Sequence, residues 1–176
     1  MGTNRRGVIP AAVFVWASVM ERSAGILMFK GRGSALRLLL VHPGGPFWAN
    51  KDKGAWSIPK GEYPEGEPLL AVARREFEEE LGVVAPAGDV FDLGELVQPS
   101  RKVITTFAIE GDFDPNKLKP NPFELEWPPK SGRKQSFPEV DRAEWFTPAE
   151  ARDKILPGQR PFIDRLLADI GKRAPR

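Results

Sequence analysis

Residues 61–83 read GEYPEGEPLLAVARREFEEELGV, and the fold turns on how this stretch is taken. From Gly66 to Leu81, apolar residues Leu70, Ala73, Phe77 and Leu81 recur at spacings of three and four, which predicts an amphipathic helix. Gly82 is a natural stop just past its end. Glu76, Glu78, Glu79 and Glu80 crowd the last turns. At 3.6 residues per turn, Glu76, Glu79 and Glu80 fall within an arc of about 100° that borders the apolar side, while Glu78 points to solvent. Like charges four apart cost about 0.2–0.5 kcal/mol, and the helix C-terminus disfavours anions. A bound divalent cation removes that conflict, and hard oxygen ligands without sulfur or imidazole suit Mg²⁺ or Mn²⁺. The helix alone is equally compatible with a bland reading, in which Arg74–Glu78 and Arg75–Glu79 are i,i+4 pairs on a solvated face.

The rest of the composition narrows the chemistry. A chain of 176 residues suggests one domain, and 41% hydrophobic with 28% charged residues is ordinary for a soluble globular protein. The net charge of +2 produces no field that argues for a nucleic acid or a membrane as partner. Cysteine is absent, which excludes disulfides and thiolate metal sites, and the single histidine, His42, cannot by itself build a histidine metal cluster or triad. Catalysis falls to carboxylates, lysines and arginines. The start, MGTNRR then GVIPAAVFVWASVM, has the outline of a secretory signal, but no small-x-small cleavage site follows and the apolar run is too short to span a bilayer. Residues 1–22 are read as an N-terminal extension whose order the sequence leaves open, residues 23–176 as one domain, and the location as cytoplasmic.

Outward from the helix, AGILMF (24–29) and LRLLLVH (36–42) read as strands joined by a turn. A Gly/Pro/Lys loop (43–54), a short strand AWSIP (55–59) and a turn KGEYPEGE lead to the helix. Two paired strands follow at 90–98 and 102–113. FELEW (123–127) alternates as a half-buried strand, PPKSGRKQSFPEV reads as a basic loop, and RAEWF as a last strand. TPAEARDKI opens with a Thr cap, Pro at N1 and Glu at N3, ahead of a terminal helix QRPFIDRLLADI. This order predicts an α/β domain, a mixed β-sheet sandwiched between helices.

The stretch 61–83 also matches the Nudix box, G-x5-E-x7-R-E-U-x-E-E-x-G-U. Gly61, Glu67, Arg75, Glu76, Glu79, Glu80 and Gly82 fill the fixed positions, with Phe77 and Val83 at the apolar ones. The chain therefore resembles the Nudix hydrolases over roughly residues 23–170, more loosely outside the box. The resemblance implies the Nudix fold and hydrolysis of a phosphoanhydride in nucleoside polyphosphates, with dinucleoside polyphosphates first and nucleoside triphosphates second. It also implies that Glu76, Glu79 and Glu80, with the main-chain carbonyl of Lys60, hold Mg²⁺ or Mn²⁺.

Each further position carries its own reading. Gly61 and Gly66 allow the tight turn before the helix, and Arg75 fixes a box carboxylate. The general base is expected in the box or in a later loop, with Glu139 the loop candidate and Glu124 and Glu126 its alternates. Lys60, Lys102, Lys53 and Lys51 are candidates to line a phosphate path, with solvated surface lysines as the plain alternative. The PKG at 59–61 is similar to that of members acting on dinucleoside polyphosphates and diphosphoinositol polyphosphates. Trp56, Trp48 and Phe47 are candidates to stack a base, and the HPGGPFW loop (42–48) is expected on the substrate side. Two other functions stay open: a nucleotide sensor without turnover, which intact box carboxylates disfavour, and an RNA 5′ pyrophosphohydrolase, for which the basic loop 128–135 is a weak electrostatic footprint.

Overall fold

The sheet grows outward from β1 (Arg22–Lys30), whose run RSAGILMFK is buried along its length. A strand covered on both faces reads as a continuous apolar run, not an alternation. In this computed structural model, which describes residues 20–173, β1 pairs in parallel with β5 (Val103–Glu110) and antiparallel with β2 (Arg37–Pro43). The order is β4-β5-β1-β2-β8, with β4 at Val90–Val97 and β8 at Val140–Phe146. A short strand, β3 (Lys60–Glu62), pairs antiparallel with the start of β1, setting Gly61 opposite Ala24 and Lys60 opposite Gly25. The extension read over residues 1–22 lies outside the described residues as far as Val19, and Arg22 already belongs to β1.

Alternate side chains of β1 and β2 divide the core into two layers. Leu27, Phe29, Leu38 and Leu40 pack with Ala151 of α2 (Pro148–Lys154) and with Phe162, Ile163 and Leu166 of α3 (Arg160–Arg173). Ala24, Ile26, Met28, Leu39 and Val41 pack with Val72, Ala73, Phe77 and Leu81 of α1 (Leu69–Leu81). The sheet is thus mixed and sandwiched between helices. Each large aliphatic or aromatic side chain buried this way contributes about 1.5–3 kcal/mol. Thr147 and Glu150 form the capping box that starts α2. Among the described residues no helix is long and apolar enough to cross a membrane.

The structure departs from the sequence reading in three places. Residues 55–59 form no continuous strand, only the isolated bridges Val41–Ser57 and Trp56–Ile155. The strand forms instead at 60–62, where a turn was expected, because Gly25 lets this backbone close in: a Cβ there would lie 2.4 Å from the Pro59 carbonyl oxygen. The basic, proline-rich segment is half of a hairpin, β6 (Pro122–Glu126) with β7 (Lys134–Pro138), a two-stranded sheet of its own. On α1, Val72 rather than half-buried Leu70 completes the apolar face.

Candidate active site

Helix α1 lies over β3 so closely that Gly61 and Glu76 touch. A Cβ built on Gly61 would stand 1.7 Å from Glu76 Oε2 and 2.2 Å from its Cδ. Gly66 has φ +96°, as a turn requires, but Gly61 is not in the left-handed region. Position 61 therefore needs glycine for close approach, not for a turn. Glu76, Glu79 and Glu80 are half-buried along the side of α1 that borders the core, and Glu78 is exposed, as the helical spacing predicts.

Burial raises the Glu76 carboxyl above its ordinary range; Glu79 and Glu139 add to this, and Arg75 opposes it. Glu80 is pushed up to about 8, first by burial and then by Glu139 and Glu76, against the pull of Lys60. Its Oε2 is buried without a hydrogen-bond partner, alongside the Thr105 and Thr106 hydroxyls of β5. Of these three, a carboxylate oxygen is the costliest to leave dry.

The Lys60 backbone faces this carboxylate. Hydrogen bonding alternates along an antiparallel pair, and the Ile26 amide donates to the Pro59 carbonyl at 3.1 Å. The next pair, Gly25–Lys60, is then non-bonded, so the Lys60 amide and carbonyl both face away from β1. On that side the amide favours the ionised form of Glu80. The carbonyl is thus turned to the side where the resemblance places a metal ligand.

The four carboxylates are electrostatically coupled but do not close on one point. Among the described residues no three His, Cys, Asp or Glu side chains are arranged to hold a metal ion. Glu76 turns toward Arg75, at 3.4 Å, while Arg75 also donates to Glu67 Oε2 at 2.7 Å. Arg74 donates to the carbonyls of Ala85 and Pro86. Neither arginine makes the i,i+4 pair of the bland reading, so the glutamates are not there to serve a solvated salt-bridge stripe. The donor set fits a hard divalent cation: carboxylate oxygens and one main-chain carbonyl, a buried orphan oxygen, and a glycine cradle under Glu76.

Glu139 joins this group through the helix end. Gly82, at φ 77°, donates to the Glu78 carbonyl, and the Lys119 and Asn121 amides donate to the carbonyls of Leu81 and Glu79. The Glu139 amide then donates to the Asn121 carbonyl at 2.9 Å, and the Gly44 amide to the Glu139 carbonyl at 3.0 Å. Burial and the charge of Glu79 raise the Glu139 carboxyl above its ordinary range. Glu124 pairs with Lys134, and Glu126 accepts from the Gly132 amide, which places both alternates on the outer face of the hairpin.

The lysines divide. Lys60 and Lys102 line a cleft of about 520 Å³ with Gln98, Ser100 and Gln159, on the α2–α3 side of β3. The Lys102 ammonium is already held by Glu62 at 2.8 Å and Glu21 at 2.5 Å, so it walls the cleft without offering a free charge. Lys53 pairs with Asp153 of α2 at 2.9 Å. Trp56 is 1% exposed in the α2–α3 layer, with its indole donating to Asp52 at 2.8 Å. It is a core residue. Phe47 is 57% exposed, and Trp48 lies beneath the Lys51 ammonium.

Sequence reasoning missed what fixes the HPGGPFW loop. His42 is buried, with Nδ1 hydrogen-bonded to Asp141 and Nε2 donating to the Lys51 carbonyl, both at 2.7 Å. An isolated histidine in an apolar strand carried no signal for that partner 99 residues away.

With this geometry in hand, residues 19–166 match the NUDIX domain family. The chain belongs to the NUDIX family. Every fixed carboxylate of the box is present in it. A similar curated protein, an octanoyltransferase from Myxococcus xanthus, is 33% identical over 93 residues, covering 50% of this chain and 25% of its own length. The chain thus spans about a quarter of that relative. Among solved structures, a C. elegans Ap4A hydrolase binary complex superposes with a TM-score of 0.57 at 15% identity, covering 85% of this chain and 98% of that one. The NUDIX domain of Shewanella oneidensis NrtR complexed with ADP ribose gives 0.57 at 17%, covering 86% and 88%. A MutT protein from Methanosarcina mazei Go1 gives 0.53 at 18%, covering 86% and 95%. At these identities the likeness is one of fold.

Proposed function

We propose that this NUDIX protein is a divalent-metal-dependent pyrophosphohydrolase of nucleoside polyphosphates, with dinucleoside polyphosphates favoured over nucleoside triphosphates. The observation that carries it is the buried, unpartnered Oε2 of Glu80 among Glu76, Glu79 and Glu139. Glu76, Glu79, Glu80 and the Lys60 carbonyl would hold Mg²⁺ or Mn²⁺, which when bound offsets phosphate charge and acidifies a water. The Ap4A hydrolase and the ADP-ribose complex among the structural neighbours are proteins named for a nucleotide substrate or ligand, which supports this substrate class.

The chain's own residues supply positioning and proton transfer. Arg75, tied to Glu67, fixes the Glu76 carboxylate against Gly61. Glu139, held by Asn121 and Gly44 on the rim of the group, is the proposed base. It takes the proton of the attacking water as oxygen adds to phosphorus, and the leaving phosphate departs with the electrons of the broken anhydride bond. Burial and the charge of Glu79 make the Glu139 carboxylate a stronger base than a free glutamate. The charge of Lys60 favours the ionised form of Glu80. A phosphate-release panel with and without Mg²⁺ tests the proposal: turnover of dinucleoside polyphosphates that needs the metal is expected. Glu79→Gln should abolish that turnover. Metal-independent turnover, or unchanged rates in Glu79→Gln, would reject it.

A further inference from the structure

The β6–β7 hairpin and the HPGGPFW loop build one surface. Along the hairpin, Phe123, Leu125, Trp127 and Phe137 are half-buried on one face, while Glu124, Glu126, Lys134 and Ser136 are exposed on the other. The loop lies along the apolar face. A Cβ on Gly44 would lie 1.9 Å from the Pro138 carbonyl oxygen, and one on Gly45 3.1 Å from the Phe123 ring. Phe47 meets Trp127 edge to face at 5.3 Å, and Phe123 and Phe137 are 6.1 Å apart. The base of this strip is Glu139, which sits with the box glutamates. At about 3.4 Å per residue, the five steps from Pro122 to Trp127 carry it about 17 Å outward.

The far end is both aromatic and basic. Phe47 is 57% exposed there. The tip segment 128–133 contributes Lys130 and Arg133, whose charged groups have no carboxylate partner among the described residues. The Trp127 amide donates to the Arg133 carbonyl, which pairs the two residues across the hairpin. An exposed ring backed by a second ring and flanked by unpaired cations suits a flat, anionic ligand.

We propose that Phe47, Trp127 and Arg133 form a subsite for the far nucleobase of a dinucleoside polyphosphate whose phosphate chain reaches the glutamates. This inference rests on the proposed function and specifies its substrate: length and a second base, not the phosphates alone, are recognised. Charge complementarity and the outward run of the strip favour this occupant over a single nucleotide, which is too short to engage both ends.

Calorimetry on the full chain with Ca²⁺ in place of Mg²⁺, using diadenosine tetraphosphate and inorganic tripolyphosphate as probes, separates base from phosphate recognition. Wild type should prefer the dinucleotide. Phe47→Ala, an exposed change that spares the core, should weaken it about tenfold and leave tripolyphosphate unchanged. Arg133→Ala should weaken the dinucleotide too, and Trp127→Phe guards against misfolding of a larger truncation. Equal affinity of wild type for both probes, no binding of either, or an undiminished preference in Phe47→Ala and Trp127→Phe would overturn the subsite. So would tighter binding of a 5′-triphosphate RNA than of the dinucleotide. Mg²⁺-dependent turnover in the same preparations keeps the two claims apart. Turnover with KM unchanged in Phe47→Ala sinks the subsite and leaves the activity standing; base-dependent binding without turnover does the reverse.

Discussion

A methyl group at position 61 has no room, because the Glu76 carboxylate already occupies the space it would fill. Since φ at Gly61 is one any residue adopts, Gly61→Ala should fold. Its cost should fall on the displaced Glu76, with kcat down roughly 100-fold, the size of a misplaced catalytic group. A melting temperature close to wild type beside that loss would support the close-approach reading; a rate within twofold of wild type would contradict it. Glu80 makes a prediction of a different kind. Its carboxyl rises from 4.5 unfolded to about 8 folded, so between those values the native state holds a proton the unfolded chain lacks. The contribution of Glu80 to metal-free stability is therefore greatest below the lower value and falls as pH rises toward 8. Glu76 and Glu139, also raised, add to the same trend. Melting in EDTA from pH 5 to 9 should show wild type losing stability relative to Glu80→Gln as pH rises; parallel curves would remove the burial argument. Metal uptake must displace that proton, so Mg²⁺ affinity should climb over the same window.

At the scale of elements, the end of α1 organises more than the helix. Gly82 sits at φ 77° with the Lys119 backbone oxygen 2.6 Å from where a Cβ would be. Gly82→Ala should cost about 1–3 kcal/mol for the left-handed residue, measured by urea unfolding. It should also lower activity beyond that loss, because Lys119 and Asn121 hang from the helix carbonyls and Glu139 hangs from Asn121. Full specific activity in a destabilised Gly82→Ala would detach Glu139 from the chemistry.

The same scale explains what the sequence disclosed. The glutamates of one helix were legible because spacing on a rigid 3.6-residue repeat fixes their common side. Trp56 and Lys53, candidate substrate contacts in the sequence, lie where loop meets bridge: the first is buried and the second pairs with Asp153. There, which side of the sheet a residue faces depends on a one-residue register that composition does not set. The β7 strand was hidden by a run of prolines and cations, although Ser131-Gly132 marked a turn between two alternating stretches.

Across the whole molecule, stability should be uneven in a way that matters to the site. Strand β1 is bonded to β2, β3 and β5 and buried by helices on both faces. The β6–β7 hairpin is a separate two-stranded sheet, joined to the body mainly by the Asn121, Gly44 and Phe47 contacts. A two-stranded hairpin is marginal by itself. Native-state hydrogen exchange should therefore show β1 and β5 amides opening only with global unfolding, and β6–β7 amides opening at much lower free energy. Glu139 stands where the soft hairpin meets the rigid helix end, so the proposed base is anchored on one side while the aromatic strip beyond it remains adaptable. A dinucleoside polyphosphate spanning both ends should slow exchange in β6–β7 without changing β1. Inorganic tripolyphosphate, which lacks a base to reach the tip, should not slow it. Protection of the hairpin equal to that of β1 in the free protein would mean that it belongs to the rigid body, and the strip would then be a fixed wall with no adjustment to make.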